Sequence, residues 1–258
     1  MKNTSLKEPT YSRFKLQNAV LTNNHQELQR QLKFISPNFF NKFGNTPLIL
    51  AAKYGNIEAV RILLHDNRVS VNSKNNNDKT ALLQASRYGH SKVVNMLLRS
   101  KQMINPNIQD SHGNTALILA AKYRHKIIID QLLAHKRTNT NLKNNKNNTA
   151  LIYSAKYNCT EIAESLLNDS RTNFLFNRNE NDQNALCFAI NNSNKDMMHA
   201  LLEKDNVCHL KEHDIASFEA SKLLLFCTQF EKTTGFAANL GNVCGMPIDP
   251  APVQRRRY

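Results

Sequence analysis

The sequence predicts an all-α protein, an α-solenoid of about five helix-turn-helix repeats with degenerate caps at its N- and C-terminal ends. Two observations carry this. Thr46, Thr80, Thr115, Thr149 and Asn184 hold the same place in successive copies of one segment, at steps of 34, 35, 34 and 35 residues. The pairs Leu63-Leu64, Leu97-Leu98, Leu132-Leu133, Leu166-Leu167 and Leu201-Leu202 recur with the same steps. Self-similarity at that period means stacked supersecondary units, not one closed globule.

The chain divides on this reading into residues 1–37 (a tail and a degenerate capping repeat), 38–214 (five repeats), 215–232 (a capping helix) and 233–258 (an irregular tail). In the first region, residues 14–33 read as a worn copy. Leu16, Ala19, Leu28 and Leu32 match Leu48, Ala51, Val60 and Leu64 at an offset of 32, with Asn24 against Asn56. Gln26, Glu27, Gln29, Arg30 and Gln31 suit a solvent-facing cap.

The copy from Asn41 to Lys74 shows what one unit does. Thr46 is placed to cap a first helix, and Pro47 suits the first helical position, where no amide donor is needed. Leu48, Leu50, Ala51 and Ala52 give a short helix with a small-residue face, and Gly55-Asn56 breaks it. A second helix follows, with Ile57, Val60, Leu63 and Leu64 on one apolar stripe. The unit returns through His65 to Asn72 into a polar turn at Asn75-Asn76-Asn77-Asp78. Helices this short are marginal alone, so each must bury its stripe against its neighbours. Gly44, Asp78, Gly113, Asn147 and Asp182 take the special-backbone place in the five turns. After Asp214 the register is lost. Ile215, Phe218, Leu223 to Phe226 and Phe230 suggest one apolar helix, read as a lid over the fifth repeat.

These residues resemble the ankyrin repeat, with its turn, Thr-Pro-Leu-His opening, Gly-His break, Leu-Leu helix and extended return. The openings are Thr46-Pro47-Leu48, Thr80-Ala81-Leu82, Thr115-Ala116-Leu117, Thr149-Ala150-Leu151 and Asn184-Ala185-Leu186. The breaks are Gly55-Asn56, Gly89-His90, Arg124-His125, Asn158-Cys159 and Asn192-Ser193, and the return loop keeps Asn38, Asn72, Asn107 and Asn141. One departure is systematic. The family's His becomes Ile49, Leu83, Ile118, Ile152 and Cys187, which predicts that packing carries more of the cohesion between repeats.

The most informative functional set is Lys53-Tyr54, Arg87-Tyr88, Lys122-Tyr123 and Lys156-Tyr157, a cation followed by Tyr in four consecutive units. The resemblance implies that these positions face a concave groove where partners bind. Stacked at repeat spacing they form a ladder of charge with aromatic rungs. Tyr at this place also serves packing between repeats, and exposed Lys also serves solubility; both readings stand. Lys42, Phe43, Lys79, His112 and Lys146 at the turn tips complete the candidate rim. Net charge is +14 and unevenly laid out: +5 over residues 1–43, +10 over 79–147 and −4 over 148–214. A basic centre beside an acidic end suits an oriented protein partner with an acidic or mixed-charge surface.

Several classes are disfavoured. No apolar run approaches the ~18–20 residues that span a bilayer, and the first residues lack the apolar core of a secretory signal. Five cysteines without a CxxC pair suggest reduced thiols and a cytoplasmic setting. Cys208, His209 and His213 lack a fourth ligand for a structural zinc, so no metal or cofactor is expected. No nucleotide-binding or hydrolase motif is present. Repeats and caps take up roughly residues 14–232, leaving too little chain for a catalytic domain. The expectation is a monomeric, non-enzymatic protein-interaction module, an adaptor or competitor, with nucleic acid disfavoured as a partner. The alternative is binding to a polyanion, either nucleic acid or anionic phospholipid. The Thr-Ala-Leu-Ile helices and Asn/Lys-rich composition also resemble ankyrin arrays that intracellular bacteria deliver into host cells, which implies an effector role and a place in the host cytoplasm.

Overall fold

A computed structural model describes residues 8–173 and 177–203. The expected capping helix at 215–232, the tail at 233–258, and Cys208, His209, His213, Cys227 and Cys244 lie outside the described residues. The chain divides into two compact units, Met1–Met197 and Met198–Tyr258. The first holds the leading pair, four repeated pairs and the helix that opens the fifth. Helices and turns are found throughout the described residues, with no strand among them.

A leading pair, α1 (Glu8–Leu21) and α2 (His25–Leu32), precedes four pairs of one design. These are α3 (Pro47–Lys53) with α4 (Ile57–His65), α5 (Ala81–Tyr88) with α6 (Ser91–Leu98), α7 (Ala116–Lys122) with α8 (Lys126–Ala134), and α9 (Ala150–Lys156) with α10 (Thr160–Asn168). A fifth opens with α11 (Ala185–Asn191) and α12 (Lys195–Glu203). First helices pack on first helices, from α1 through α3, α5, α7 and α9 to α11; second helices pack on second helices from α2 to α10. The core therefore runs as a continuous seam between two layers.

Local chemistry sets each element. The first helices open on side-chain caps: the hydroxyls of Thr46, Thr80, Thr115 and Thr149 accept from the amides of Ile49, Leu83, Ile118 and Ile152, and Asn184 Oδ1 accepts from Cys187 N at 2.9 Å. In each turn the first side chain folds over its own loop. Asn75 Oδ1, for example, accepts from Asn77 N and Lys79 N, and Asp110 Oδ1 accepts from His112 N and Asn114 N. The five turn residues named above do take left-handed backbone, from Asp78 and Asn147 at φ 55° to Gly113 at φ 76°. Only Gly fits at Gly113, because a Cβ there would lie 2.7 Å from Asn145 N.

A second left-handed series ends the first helices at Asn23, Gly55, Gly89, Arg124, Asn158 and Ser193. The fifth break is thus Ser193-Asn194, one residue later than the sequence reading placed it, and Asn194 caps α12 through Met197 N at 2.9 Å. On α4 the deeply buried stripe is Ala59, Val60 and Leu63, with Ile57 and Leu64 half-buried at its margin. In α1 and α2, Leu16, Ala19, Leu28 and Leu32 are buried. So is Gln31, which does not decorate the solvent face; its amide bonds Glu27 Oε1 at 2.7 Å.

Cohesion between repeats is not left to packing. Ile49, Leu83, Ile118 and Ile152 are fully buried, but three polar ladders run beside them. Each return-loop Asn grips the next repeat with both ends of its amide: Asn38 on Arg68 O and Ser70 N, Asn72 on Met103 O and Asn105 N, Asn107 on Arg137 O and Asn139 N, Asn141 on Arg171 O and Asn173 N, all at 2.6–2.9 Å. Successive turns are joined through backbone bonds from Asn76 to Phe43, Ser111 to Asn77, Asn145 to His112 and Glu180 to Lys146. At the breaks, Asn56 Nδ2 donates to Val20 O, while His90 Nε2 bonds Lys53 O and His125 Nε2 bonds Arg87 O. The imidazoles at the breaks thus bond across repeats at the start of the second helix, and two terms hold the repeats together: packing at the apolar slot and hydrogen bonds at the breaks.

Candidate protein-binding face

The cation of each ladder pair stands in the last turn of a first helix, where it faces the negative end of the helix dipole. Its Tyr is the last helical residue or the C-cap, held in place by the left-handed residue beyond. Tyr54, Tyr88 and Tyr157 are exposed and Tyr123 is half-buried. Lys53, Arg87 and Lys122 are half-buried and Lys156 is exposed.

From the second repeat on, the ladder bridges successive repeats. Lys53 Nζ lies 5.2 Å from the centre of the Tyr54 ring. The Arg87 guanidinium lies between two rings, 5.8 Å from Tyr88 and 5.0 Å from Tyr123 in the next repeat. Lys122 Nζ lies 5.9 Å from Tyr123 and 5.6 Å from Tyr153 in the next repeat, and Lys156 Nζ lies 5.7 Å from Phe188. Tyr153 stacks on Tyr157 with centroids 5.9 Å apart and planes 6° from parallel. Three of the four cations therefore lean on the following unit. Each such contact stabilises the junction by about 0.5–1 kcal/mol at an exposed site.

None of these four cations makes an ion pair with a described carboxylate. A ring covers the flat face of a guanidinium and leaves its N–H edge open, so stacking on Tyr88 and Tyr123 does not consume the donors of Arg87. Burial, with the neighbouring phenols Tyr153 and Tyr123, pushes the Tyr157 phenol above its ordinary value of 10.0 and keeps it neutral. The arrangement can bind carboxylates edge-on while apolar groups lie against the rings.

The turn-tip residues are placed unevenly. Lys42 and Phe43 are exposed, with Lys42 Nζ 5.1 Å from the Phe43 ring; at 60% exposure Phe43 projects outward. Lys79 is half-buried and His112 exposed, its Nδ1 3.3 Å from Ser111 Oγ. Lys146 is exposed but engaged, its ammonium 3.0 Å from Glu180 Oε1 in the next turn. Tyr153 and Phe188 were missed by the sequence reading. They stand four residues after Thr149 and Asn184, where the earlier repeats carry Leu50, Gln84 and Leu119. The change to aromatic rings in the last two copies was the available signal.

At the opposite edge, Arg68 and Arg171 reach back to the carbonyl ends of α2 and α8 through Leu32 O and Leu133 O. Each is oriented by its own carboxylate. Hydrogen bonds from Arg68 and Arg171 hold Asp66 and Asp169 below the ordinary carboxylate value of 3.8.

A family model described as ankyrin repeats (3 copies) matches residues 16–110 and 101–176. Among solved structures, the crystal structure of EF0377, an ankyrin repeat protein, superposes with a TM-score of 0.68 at 20% identity, over 74% of this chain and 98% of that one. A search of curated protein sequences returns no match. No helix among the described residues is long and apolar enough to cross a membrane. With that family model matched over more than half its length, the chain belongs to the ankyrin repeat family.

Proposed function

We propose that this chain is a non-enzymatic binding module whose protein partner docks on the cation–Tyr ladder and presents an acidic or mixed-charge surface to it. Ankyrin repeats serve generally as protein-interaction modules, and the family is generally non-enzymatic. The observation that carries the finer reading is the column itself: Lys53, Arg87, Lys122 and Lys156 each lie near an aromatic ring and have no ion-pair partner among the described residues. Unpaired charges in a row raise association rates with an opposite surface and make them sensitive to salt.

The test is surface plasmon resonance of the full chain against immobilised polyglutamate over a salt series. The double variant Arg87→Glu, Lys122→Glu is expected to associate more slowly and with a shallower salt slope. Lys53→Glu serves as the cleaner probe, since its ammonium leans only on Tyr54 of its own repeat. Unchanged association in both variants removes the ladder from the interface.

A second reading, polyanion binding, draws on the exposed Arg99, Lys101, Lys136 and Arg137 of two return loops. Filter binding of duplex and single-stranded nucleic acid at low salt separates it from the first, because a protein-binding ladder predicts no retention. The resemblance to arrays delivered by intracellular bacteria extends the first reading to an effector. Loss of translocation on removing residues 235–258 would support a role for that segment in delivery.

A further inference from the structure

We infer that the ladder's partner is an α-helix laid along the stack, with acidic residues at seven-residue intervals and apolar residues between them. The inference rests on the protein-binding reading above and adds the partner's secondary structure and register.

Spacing narrows the choice between the two regular conformations. The first helices α3, α5, α7 and α9 pack directly on one another, and helices in contact have axes about 8–10 Å apart. One cation is therefore presented about every 8–10 Å along the column. A helix returns to the same face after seven residues, a rise of about 10.5 Å. An extended strand returns to the same face only at even steps, about 7 Å for two residues and about 13 Å for four. Over most of that range the helical step is the nearer match, the strand step being nearer only below about 8.7 Å, and the long stems of Lys and Arg take up the remaining difference.

The rings argue the same way. Between two carboxylates on a helix, the residues at i+3 and i+4 lie on the same face. They would meet Tyr54, Tyr88 and Tyr157, which are exposed at 57%, 46% and 37%. Carboxylates aligned with the cations and apolar side chains against the rings thus follow from a single helical repeat. A strand would turn its odd-numbered residues away from these rings. The column also has an end. In the fifth unit Asn191 and Asn192 stand where the cation and Tyr would be, so the acidic run covers four rungs. Four rungs at seven-residue steps require a helix of about 22 residues, or about 33 Å.

Fluorescence anisotropy of two labelled peptides of about 22 residues against the full chain tests this. One carries four Glu seven residues apart, with Leu at the third and fourth places after each and Gln elsewhere; the other has the same composition with its four Glu five residues apart, which scatters the charges around the helix. The first is expected to bind about tenfold more tightly, the scale of matched against mismatched charges, and to gain helical circular dichroism on binding. Lys53→Glu is expected to reduce that advantage. Equal binding of the two peptides, or binding of neither while polyglutamate is retained, overturns the helical partner and leaves the acidic-partner reading standing. Loss of polyglutamate binding as well overturns both.

Discussion

The third and fifth repeats share a template and differ in what holds them. In the third, Leu117, Ile118, Leu119, Ala120 and Ala121 of α7 are buried almost completely, and Asn107 and His125 add hydrogen bonds across its borders. In the fifth, the backbone devices survive. Asp182 and Ser193 keep φ of 58° and 51°, and Asn184 still caps α11. The burial survives only in part: Ala185, Cys187 and Ala189 stay buried, but Leu186, Phe188 and Ile190 are half-buried, and Asn191 replaces the ladder cation. Turn and cap geometry thus belongs to each unit by itself, whereas cohesion belongs to a pair of units.

The largest expected effect breaks that comparison at matched positions. Leu117 and Leu186 both stand two residues after the opening residue, Leu117 at 2% exposure and Leu186 half-buried. Leu117→Ala should cost about 2–5 kcal/mol, as for a fully buried leucine, and Leu186→Ala clearly less. Urea melts followed by circular dichroism read both. Equal losses would show that the fifth unit is as tightly integrated as the third.

A smaller loss should follow from the amide clamps. Asn107→Ala removes the bonds to Arg137 O and Asn139 N together, an expected cost of about 1–3 kcal/mol. Lys146→Ala also removes a contact between repeats, the exposed pair with Glu180. Surface ion pairs contribute little, so it should leave the same melt unchanged. A Lys146 effect as large as that of Asn107 would mean that charge, and not the amide ladder, joins the turn side.

What could be read from the sequence follows the same division. Properties of a single unit were legible: the Thr caps, the left-handed residues from Gly44 to Asp182, and the recurrence of Asn38, Asn72, Asn107 and Asn141. Each has a local physical cause that repeats at the period. Properties of a pair were not, because the partner atoms lie about one repeat away in the chain. The sequence does not say that Asn107 grips Arg137 O, or that Arg87 leans on Tyr123 while Lys122 leans on Tyr153. Nor does it weigh the two terms of cohesion. The apolar replacements Ile49 and Ile118 and the break residues His90 and His125 were all visible, but the carbonyls that His90 and His125 reach lie in the preceding repeat. Gln31 was misassigned for a related reason, since a polar residue on a short helix looks solvent-facing until its bond to Glu27 is seen.

The smallest expected effect is a gain. His90 and His125, at the start of α6 and α8, reach Lys53 O and Arg87 O in the preceding repeat at 3.0 and 3.1 Å. The next such place holds Cys159, whose thiol turns to Tyr157 O at 3.4 Å and receives Arg124 Nε at 2.9 Å. The carbonyl in register with Lys53 O and Arg87 O is that of Lys122. Cys159→His should extend the ladder to it and stabilise the array by about 0.5–1.5 kcal/mol, the net worth of one hydrogen bond. The same urea melt reads the gain, with Cys159→Ala as the reference that removes the thiol without adding a donor. If the His variant is no more stable than the Ala variant, the imidazole bonds at His90 and His125 accompany cohesion between repeats and do not supply it.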